Sequence, residues 1–391
     1  MSEEIFIQFI LDHADDEPER LLLSASRWPE VDVRRAARVI AARRKMRDKV
    51  PAWYAQPALD YPASLPLEQC SSEETARYKQ AFVPADGRIA DLTGGLGVDC
   101  WAMSQVAAEV HYCEQNAELC AAARHNFSIV MPGLNGHLFI HEGDGIAWLE
   151  QDKSGFDLIY LDPARRGKSA QRVYDIAYCE PNLLEIKDLL LQHAPRVLAK
   201  ISPMADISRT LDQLPETREL HIVAAGGEVK ELLLLLEKPQ PAGGPLIVAA
   251  EGGIRFAFHP EEEPAAEVRY ADHVGPYLFQ PAKALRKAGA FRLLSQRCGV
   301  AKLAPSSHLY TADTPVEGFP GKRFEVEEVI PWGKNAIQDL RRRFDRLELT
   351  ALNFPLATDA LRQRLGIVGG GNRHLFATTL NKDKILILCQ S

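Results

Sequence analysis

The stretch Ile89-Ala90-Asp91-Leu92-Thr93-Gly94-Gly95-Leu96-Gly97-Val98-Asp99 constrains the fold of this chain more than any other. A short apolar run ends in an acid, a glycine-rich turn follows, and Cys100 to Val106 continues at helical spacing. The pattern predicts a strand, a tight loop and a helix N-terminus. Glycines allow positive φ and close approach of a ligand. The first helical turn adds unpaired N–H groups and the positive end of the helix dipole. Taken alone, the loop fits a nucleotide-like ligand or a plain strand-to-helix turn.

The flanking residues narrow this. Val110-His111-Tyr112-Cys113 reads as a second strand ending in Glu114, and Gln115 to Asn126 reads as a helix. Leu138 to Gly145 is a strand whose turn carries Asp144. Phe156 to Leu161 is an apolar strand ending in Asp162-Pro163-Ala164-Arg165, with Arg166 and Gly167 behind it. Four strands thus end in polar groups at one sheet edge, where open α/β sheets bind ligands. A dinucleotide G-x-G-x-x-G fingerprint starting at Gly95 would require glycine at position 100, where Cys100 stands.

Over residues 70 to 240 the sequence resembles the class I S-adenosylmethionine-dependent methyltransferases. The resemblance rests on Asp91-x-x-Gly94-Gly95-x-Gly97, Glu114, Asp144 and Asp162-Pro163-Ala164-Arg165, in that order. It implies a doubly wound, mostly parallel, seven-stranded α/β sheet. It implies S-adenosyl-L-methionine as cofactor and no metal. The loop with Asp91, Thr93, Gly95, Gly97 and Asp99 would hold the methionine portion. Glu114 with Gln115 would hold the ribose hydroxyls, and Asp144 the adenine amino group. Asp162, Pro163 and Arg165 would stand beside the transferring methyl.

The net charge of −7 conceals an asymmetry. Residues 281–391 carry 18 Lys and Arg against 10 Asp and Glu, a balance of +8, so the remainder carries −15. A basic end on an acidic body predicts a polyanionic partner, here RNA, either tRNA or rRNA. No apolar run is long enough to span a bilayer. Seven scattered cysteines with no C-x-x-C pair predict reduced thiols and a cytoplasmic protein.

Residues 1–65 read as a helical N-terminal region. Val33 to Lys49 carries Arg34, Arg35, Arg38, Arg43, Arg44, Lys45, Arg47 and Lys49 over an apolar face of Val33, Ala36, Ala37, Ile40 and Ala41. Its basic side fits a nucleic-acid contact or a solvated face, and the pattern leaves both open. Pro51, Pro57, Pro62 and Pro66 predict a linker or an extended wrap. Ser71 or Ser72 caps a short helix ahead of the loop. By the resemblance, residues 66–270 would form the methyltransferase domain. Within it, Asn182 to Gln192 is a helix, and Arg196 to Ile201, Leu220 to Ala225 and Lys230 to Leu236 are strands, the last two joined by Gly226-Gly227. Residues 239–245 are a boundary or a long loop before a hairpin around Glu251-Gly252-Gly253. Pro281 to Arg297 reads as helical.

From Arg323 the order becomes β-α-β-α-β-β. This resembles the THUMP-like domain that accompanies some RNA methyltransferases and makes residues 323–391 a small α+β C-terminal domain. Residues 271–322 would be a small ferredoxin-like insert. Gly369-Gly370-Gly371-Asn372-Arg373 fits a phosphate-admitting loop or a flexible turn.

The chemistry turns on Asp162-Pro163-Ala164-Arg165. This segment is similar to that of RNA uracil-C5 methyltransferases, which place a nucleophilic cysteine after the next strand. Here that position holds Ser202-Pro203-Met204. Carbon methylation of uracil needs the thiolate. Cys179 is the nearest thiol in sequence and falls in an expected helix. A nitrogen or oxygen acceptor is therefore expected, with Asp162 positioning or deprotonating it and Arg165 or Arg166 contacting a phosphate. Two other classes compete, an RNA-binding protein with a non-catalytic methyltransferase fold and a small-molecule methyltransferase. The cofactor acids argue against the first and the basic C-terminal third against the second.

Overall fold

The structure, a computed structural model, describes residues 3–62, 67–134, 136–165, 175–239 and 243–390. Strands β1 (Arg88–Asp91), β2 (Glu109–Glu114), β3 (Leu138–Glu142) and β4 (Leu158–Leu161) come first. A small hairpin of β5 (Ala164–Arg165) and β6 (Cys179–Glu180) stands apart from the main sheet. Then come β7 (Arg196–Ile201), β8 (Thr217–Ala225), β9 (Glu228–Glu237), β10 (Leu246–Glu251) and β11 (Ile254–Phe258). The sheet runs β11-β10-β8-β9-β7-β4-β1-β2-β3.

Strand β1 pairs in parallel with both β2 and β4, β2 with β3, and β4 with β7. Helices Val98–Met103, Ala117–Val130, Gly145–Leu149 and Leu183–His193 make the crossovers. Parallel strands covered on both faces are apolar throughout, and every residue of β4 is buried. The strand order reverses between β1 and β4, the switch point where such sheets open a crevice at their C-terminal edge.

The expected seven-stranded, mostly parallel sheet is corrected to nine mixed strands. The two-residue Gly226-Gly227 turn folds β9 back, so β9 meets β7 antiparallel. A two-residue turn can join only antiparallel neighbours. The hairpin around Gly252-Gly253 then extends the same sheet as β10 and β11 rather than standing alone.

Contacts divide the chain into two compact units, residues 1–219 with 230–243, and residues 220–229 with 244–391. In the second, β12 (Tyr277–Pro281), β13 (Ala301–Ala304), β14 (Ser307–Ala312), β15 (Gly321–Pro331), β16 (Glu348–Ala351), β17 (Arg373–Leu380) and β18 (Asp383–Gln390) form one sheet in the order β13-β14-β12-β15-β18-β17-β16. Helices Lys334–Arg343 and Thr358–Leu365 complete the expected β-α-β-α-β-β order. The single helix expected over Pro281 to Arg297 is two, Lys283–Ala288 and Phe291–Cys298. Gly289 between them turns the backbone left-handed and ends the first.

The N-terminal helices Glu3–Asp12, Pro18–Leu23, Val33–Lys49 and Pro51–Tyr54 bury Phe6, Ile10, Val39, Ile40, Met46 and Trp53. Pro51 opens a helix instead of a linker, because proline suits the first helical turn, where its missing N–H costs nothing. Pro66 lies outside the described residues.

Part of the basic side of Val33–Lys49 serves the interior. The Arg43 guanidinium, 6% exposed, donates to the Tyr54 and Gln56 carbonyls at 2.9 Å each. Arg44 donates to the Ala14 carbonyl and Lys49 to those of Leu67 and Glu68. Arg34 and Arg38 are exposed. Replacing Arg43 with Ala leaves two part-buried carbonyls unpaired and should cost about 2–3 kcal/mol. Replacing Arg38 with Ala should cost under about 0.5 kcal/mol. Thermal melts of the two variants check the contrast.

Candidate active site

Asn116 caps helix Ala117–Val130 by accepting from the Glu118 and Leu119 amides. Capping fixes where β2 ends and so where Glu114 stands. Glu114 receives the Gly95 amide on Oε2 at 2.8 Å and the Asn116 amide on Oε1 at 2.7 Å. It therefore ties the glycine loop to the end of β2. Asp144 caps helix Gly145–Leu149, its Oδ1 accepting from the Ile146 and Ala147 amides, while Oδ2 accepts from Gln115 at 3.1 Å. The structure thus brings Gly95, Glu114, Gln115 and Asp144 into one hydrogen-bonded group.

The loop is shaped by what packs under it. A Cβ on Gly94 would fall 2.1 Å from the Tyr112 ring, so only glycine lets β2 approach. Gly95 differs. Its φ is +57°, and a Cβ there would meet nothing nearer than the Thr93 carbonyl at 3.8 Å. The space above Gly95 is open, beside the acids.

Asp91 is 1% exposed and accepts from the Thr93 amide at 3.1 Å. Burial, reinforced by Asp99, Asp162 and Glu114, pushes its carboxyl well above the usual carboxylate range. Among the described residues no cation pairs with it. Thr93 turns its hydroxyl across the switch point and accepts from the Asp162 amide at 2.6 Å, joining the loops that leave β1 and β4.

Asp99 faces away from that group, into a buried network that the motif alone did not reveal. Lys79, fully buried, lies 2.5 Å from Glu231 Oε1 and 3.1 Å from Asp99 Oδ1. Asp99 Oδ2 accepts from Tyr160 and from Ser71 at 2.8 Å each. Burial pushes the Asp99 carboxyl up, but Lys79 and Lys200, with the two hydrogen bonds, bring it down to about 2. Glu231 is pushed up by burial despite Lys79. Lys200 on β7 donates to Asp162 Oδ2 at 2.6 Å and to Ser71 at 3.3 Å. Ser72, not Ser71, caps helix Glu73–Tyr78, which frees Ser71 for the network. Lys79, Lys200 and Glu231 were missed because they are 152 positions apart at the widest, and only the folded sheet brings them together. A lysine inside the apolar strand Arg196 to Ile201 was the one visible sign.

Asp162 and Pro163 are partly exposed at the end of β4. The Arg165 backbone pairs with Cys179 in the β5–β6 hairpin, and its side chain lies outside what is described. Arg166 and Gly167 lie outside the described residues. Cys179 is in strand β6, not in the expected helix, because β5 and β6 pair with each other.

A Rossmann-type sheet with a glycine loop, two strand-end acids and an Asp-Pro turn at its switch point defines a class I methyltransferase fold. Residues 277–320 match the family model of a ferredoxin-like domain, and residues 321–391 that of a THUMP domain-like region. A solved structure from Porphyromonas gingivalis W83, described as a candidate methyltransferase, is 36% identical. The match covers 99% of this chain and 97% of that one, with a TM-score of 0.88. The chain belongs to this family of class I methyltransferases with a C-terminal THUMP-like domain. A candidate Escherichia coli methyltransferase is 20% identical over 46% of this chain and 91% of that one, with a TM-score of 0.33. A candidate Streptococcus mutans methyltransferase, solved in complex with SAH, is 12% identical over 42% and 96%, with a TM-score of 0.32. The comparison with curated proteins found no match.

The Asp91 environment gives a testable sign. A buried carboxyl with a raised folded-state value stays protonated longer in the folded chain than in the unfolded one. Stability is then full at acid pH and falls as pH rises from the unfolded value, about 3.9, through the folded one. Replacing Asp91 with Asn should raise the melting temperature at pH 7. The gain should vanish toward pH 4. Melts at both pH values check it.

Proposed function

We propose that the chain is an S-adenosylmethionine-dependent RNA methyltransferase acting on a nitrogen or oxygen atom. The observation that carries this reading is the hydrogen-bonded group of Gly95, Glu114, Gln115 and Asp144 beside the open space over Gly95. A nucleoside fits the donor set. Each carboxylate spends part of its lone pairs on backbone amides and keeps others for hydroxyl or amino donors. Asp91, buried with no cation beside it among the described residues, suits a positively charged ligand group. In this reading Glu114 and Gln115 hold the ribose, Asp144 the adenine amine, and the loop from Asp91 through Gly97 the methionine portion. Asp99 acts one step back, fixing the helix that begins at Val98. Bound there, the cofactor supplies an electrophilic methyl group on a sulfonium.

The protein's own work is alignment and proton handling. Thr93 ties Asp162 to the cofactor loop, so acceptor and methyl sites are referenced to one rigid point. Pro163 stiffens the turn that presents Asp162. The RNA partner is read from the THUMP-like region and its charge. Much of that charge is internally engaged. Arg343 pairs with Glu328 and Asp339, Arg373 with Glu327, and Arg341 donates to the Leu365 and Arg364 carbonyls. Arg342 pairs with Asp339 yet stays 78% exposed, and Arg346 lies along Gly369 and Gly370. The Arg346 guanidinium is thus a cationic group beside the Gly369 to Arg373 loop.

The deciding experiment is mass spectrometry of bulk tRNA and rRNA nucleosides with and without the gene, where one methylated nucleoside should disappear. In calorimetry the full chain should bind S-adenosylhomocysteine. Replacing Glu114 with Ala should weaken binding by about 1.5–3 kcal/mol for each hydrogen bond lost. Binding of a nicotinamide dinucleotide instead would overturn the cofactor assignment.

Strand β6 places the Cys179 backbone across from Arg165, just behind Asp162-Pro163, which makes the uracil-C5 alternative worth a direct test. Cys179→Ala should keep most activity, whereas Asp162→Ala should lose about 100-fold or more. Covalent trapping on 5-fluorouracil-containing RNA would reverse this expectation.

A further inference from the structure

Lys200 is a charged residue inside the apolar run that follows Arg196 in β7, and its direct ion pair is with Asp162, whereas Lys79 is the cation in contact with Glu231 and Asp99. Its ammonium sits 2.6 Å from Asp162 Oδ2. Burial works against that charge, but Asp162, Asp99 and Glu231 outweigh it and hold the ammonium above its usual range. An ammonium has three donors and no acceptor, so Asp162 Oδ2 must accept. A carboxylate paired in this way offers a substrate only lone pairs. Among the described residues the charged groups around it are Lys200 on β7, Asp91 at the end of β1, and Asp99 at the helix start, with Glu231 on β9 behind Lys200.

We propose that Lys200 is a positioning residue that fixes Asp162 as an acceptor-only carboxylate, and so restricts the methyl acceptor to an RNA atom that carries its own hydrogen. Exocyclic amines, ring N–H groups and ribose hydroxyls qualify. Ring nitrogens with a bare lone pair, such as N1 of adenine or N7 of guanine, do not, because they bring no hydrogen for Asp162 to accept. The inference rests on the methyltransferase reading and deepens it. The balance is simple. One bond forms between acceptor atom and methyl carbon, the carbon–sulfur bond breaks with its electron pair left on sulfur, and the acceptor's hydrogen leaves as a proton. The second oxygen of Asp162 receives that proton and passes it to water.

The test uses the full chain. With lysine labelled in ¹⁵N, the Lys200 ammonium should give a proton signal protected from exchange in the ligand-free protein, and D162N should shift or erase it. K200M should bind S-adenosylhomocysteine within about twofold of wild type. It should also transfer labelled methyl to total RNA from a strain lacking the gene at least about tenfold more slowly in kcat, its acid limb displaced to higher pH. K200R, which keeps the charge, should recover part of the rate and the original limb. The labelled nucleoside should carry its methyl on an amine, a former ring N–H or a ribose oxygen. A product of 1-methyladenosine or 7-methylguanosine overturns the proposal, as does a Lys200 signal indifferent to D162N or a K200M profile identical to wild type. A wild-type chain that binds no S-adenosylhomocysteine overturns the methyltransferase reading itself, and the acceptor rule with it.

Discussion

A fully buried lysine ammonium has to be neutralised where it sits, and Lys79 is neutralised from two directions. Glu231 reaches it from β9 and Asp99 from the start of the helix after the glycine loop. Removing a charge from water costs several kcal/mol unless a partner and further hydrogen bonds offset it. Here Ser71, Tyr160 and the Thr75 carbonyl add those bonds. The segment before β1, the helix after it, β4, β7 and β9 are thereby locked at one point under the crevice. Such a network contributes little net stability compared with an apolar core of the same volume. Its consequence is positional. It sets where Asp99 stands, and through Lys200 where the Asp162 carboxylate points.

The strand-end acids have double employment. Glu114 and Asp144 hold backbone amides of the loop and of a helix start before any ligand arrives. Groups fixed in this way lose little freedom on binding, so less of the binding energy goes into ordering them. Asp91 is the opposite case, a buried acid at a cost the free protein carries alone. Function-related sites commonly retain such destabilising groups.

Charge counting was accurate about the amount of basic charge in the C-terminal third and uninformative about its use. Arginine reaches carbonyls and carboxylates far away in sequence, as Arg373 does to Glu327, 46 positions off. Each guanidinium satisfied internally is one fewer for a polyanion. The same holds in part for Val33–Lys49, where Arg43, Arg44 and Lys49 bind backbone while Arg34, Arg38, Lys45 and Arg47 are exposed.

Local chemistry in the sequence determined the elements that make the crevice. The glycine loop, the caps at Asn116 and Asp144, the all-apolar β4 and the turns at Gly226-Gly227 and Asn381 are short-range features, set by φ, capping and periodicity. The relative order of the acids also followed from sequence, since each closes a strand. What only the tertiary structure decided is pairing across distance. Whether β10 and β11 join the main sheet depends on which edge is free, and whether Cys179 lies in a strand depends on β5 being there to pair with it. Lys79, Lys200 and Glu231 each look like an ordinary charged residue in its own segment. They become one network only when β7 and β9 lie side by side, because a buried charge is defined by its neighbours rather than by its own identity.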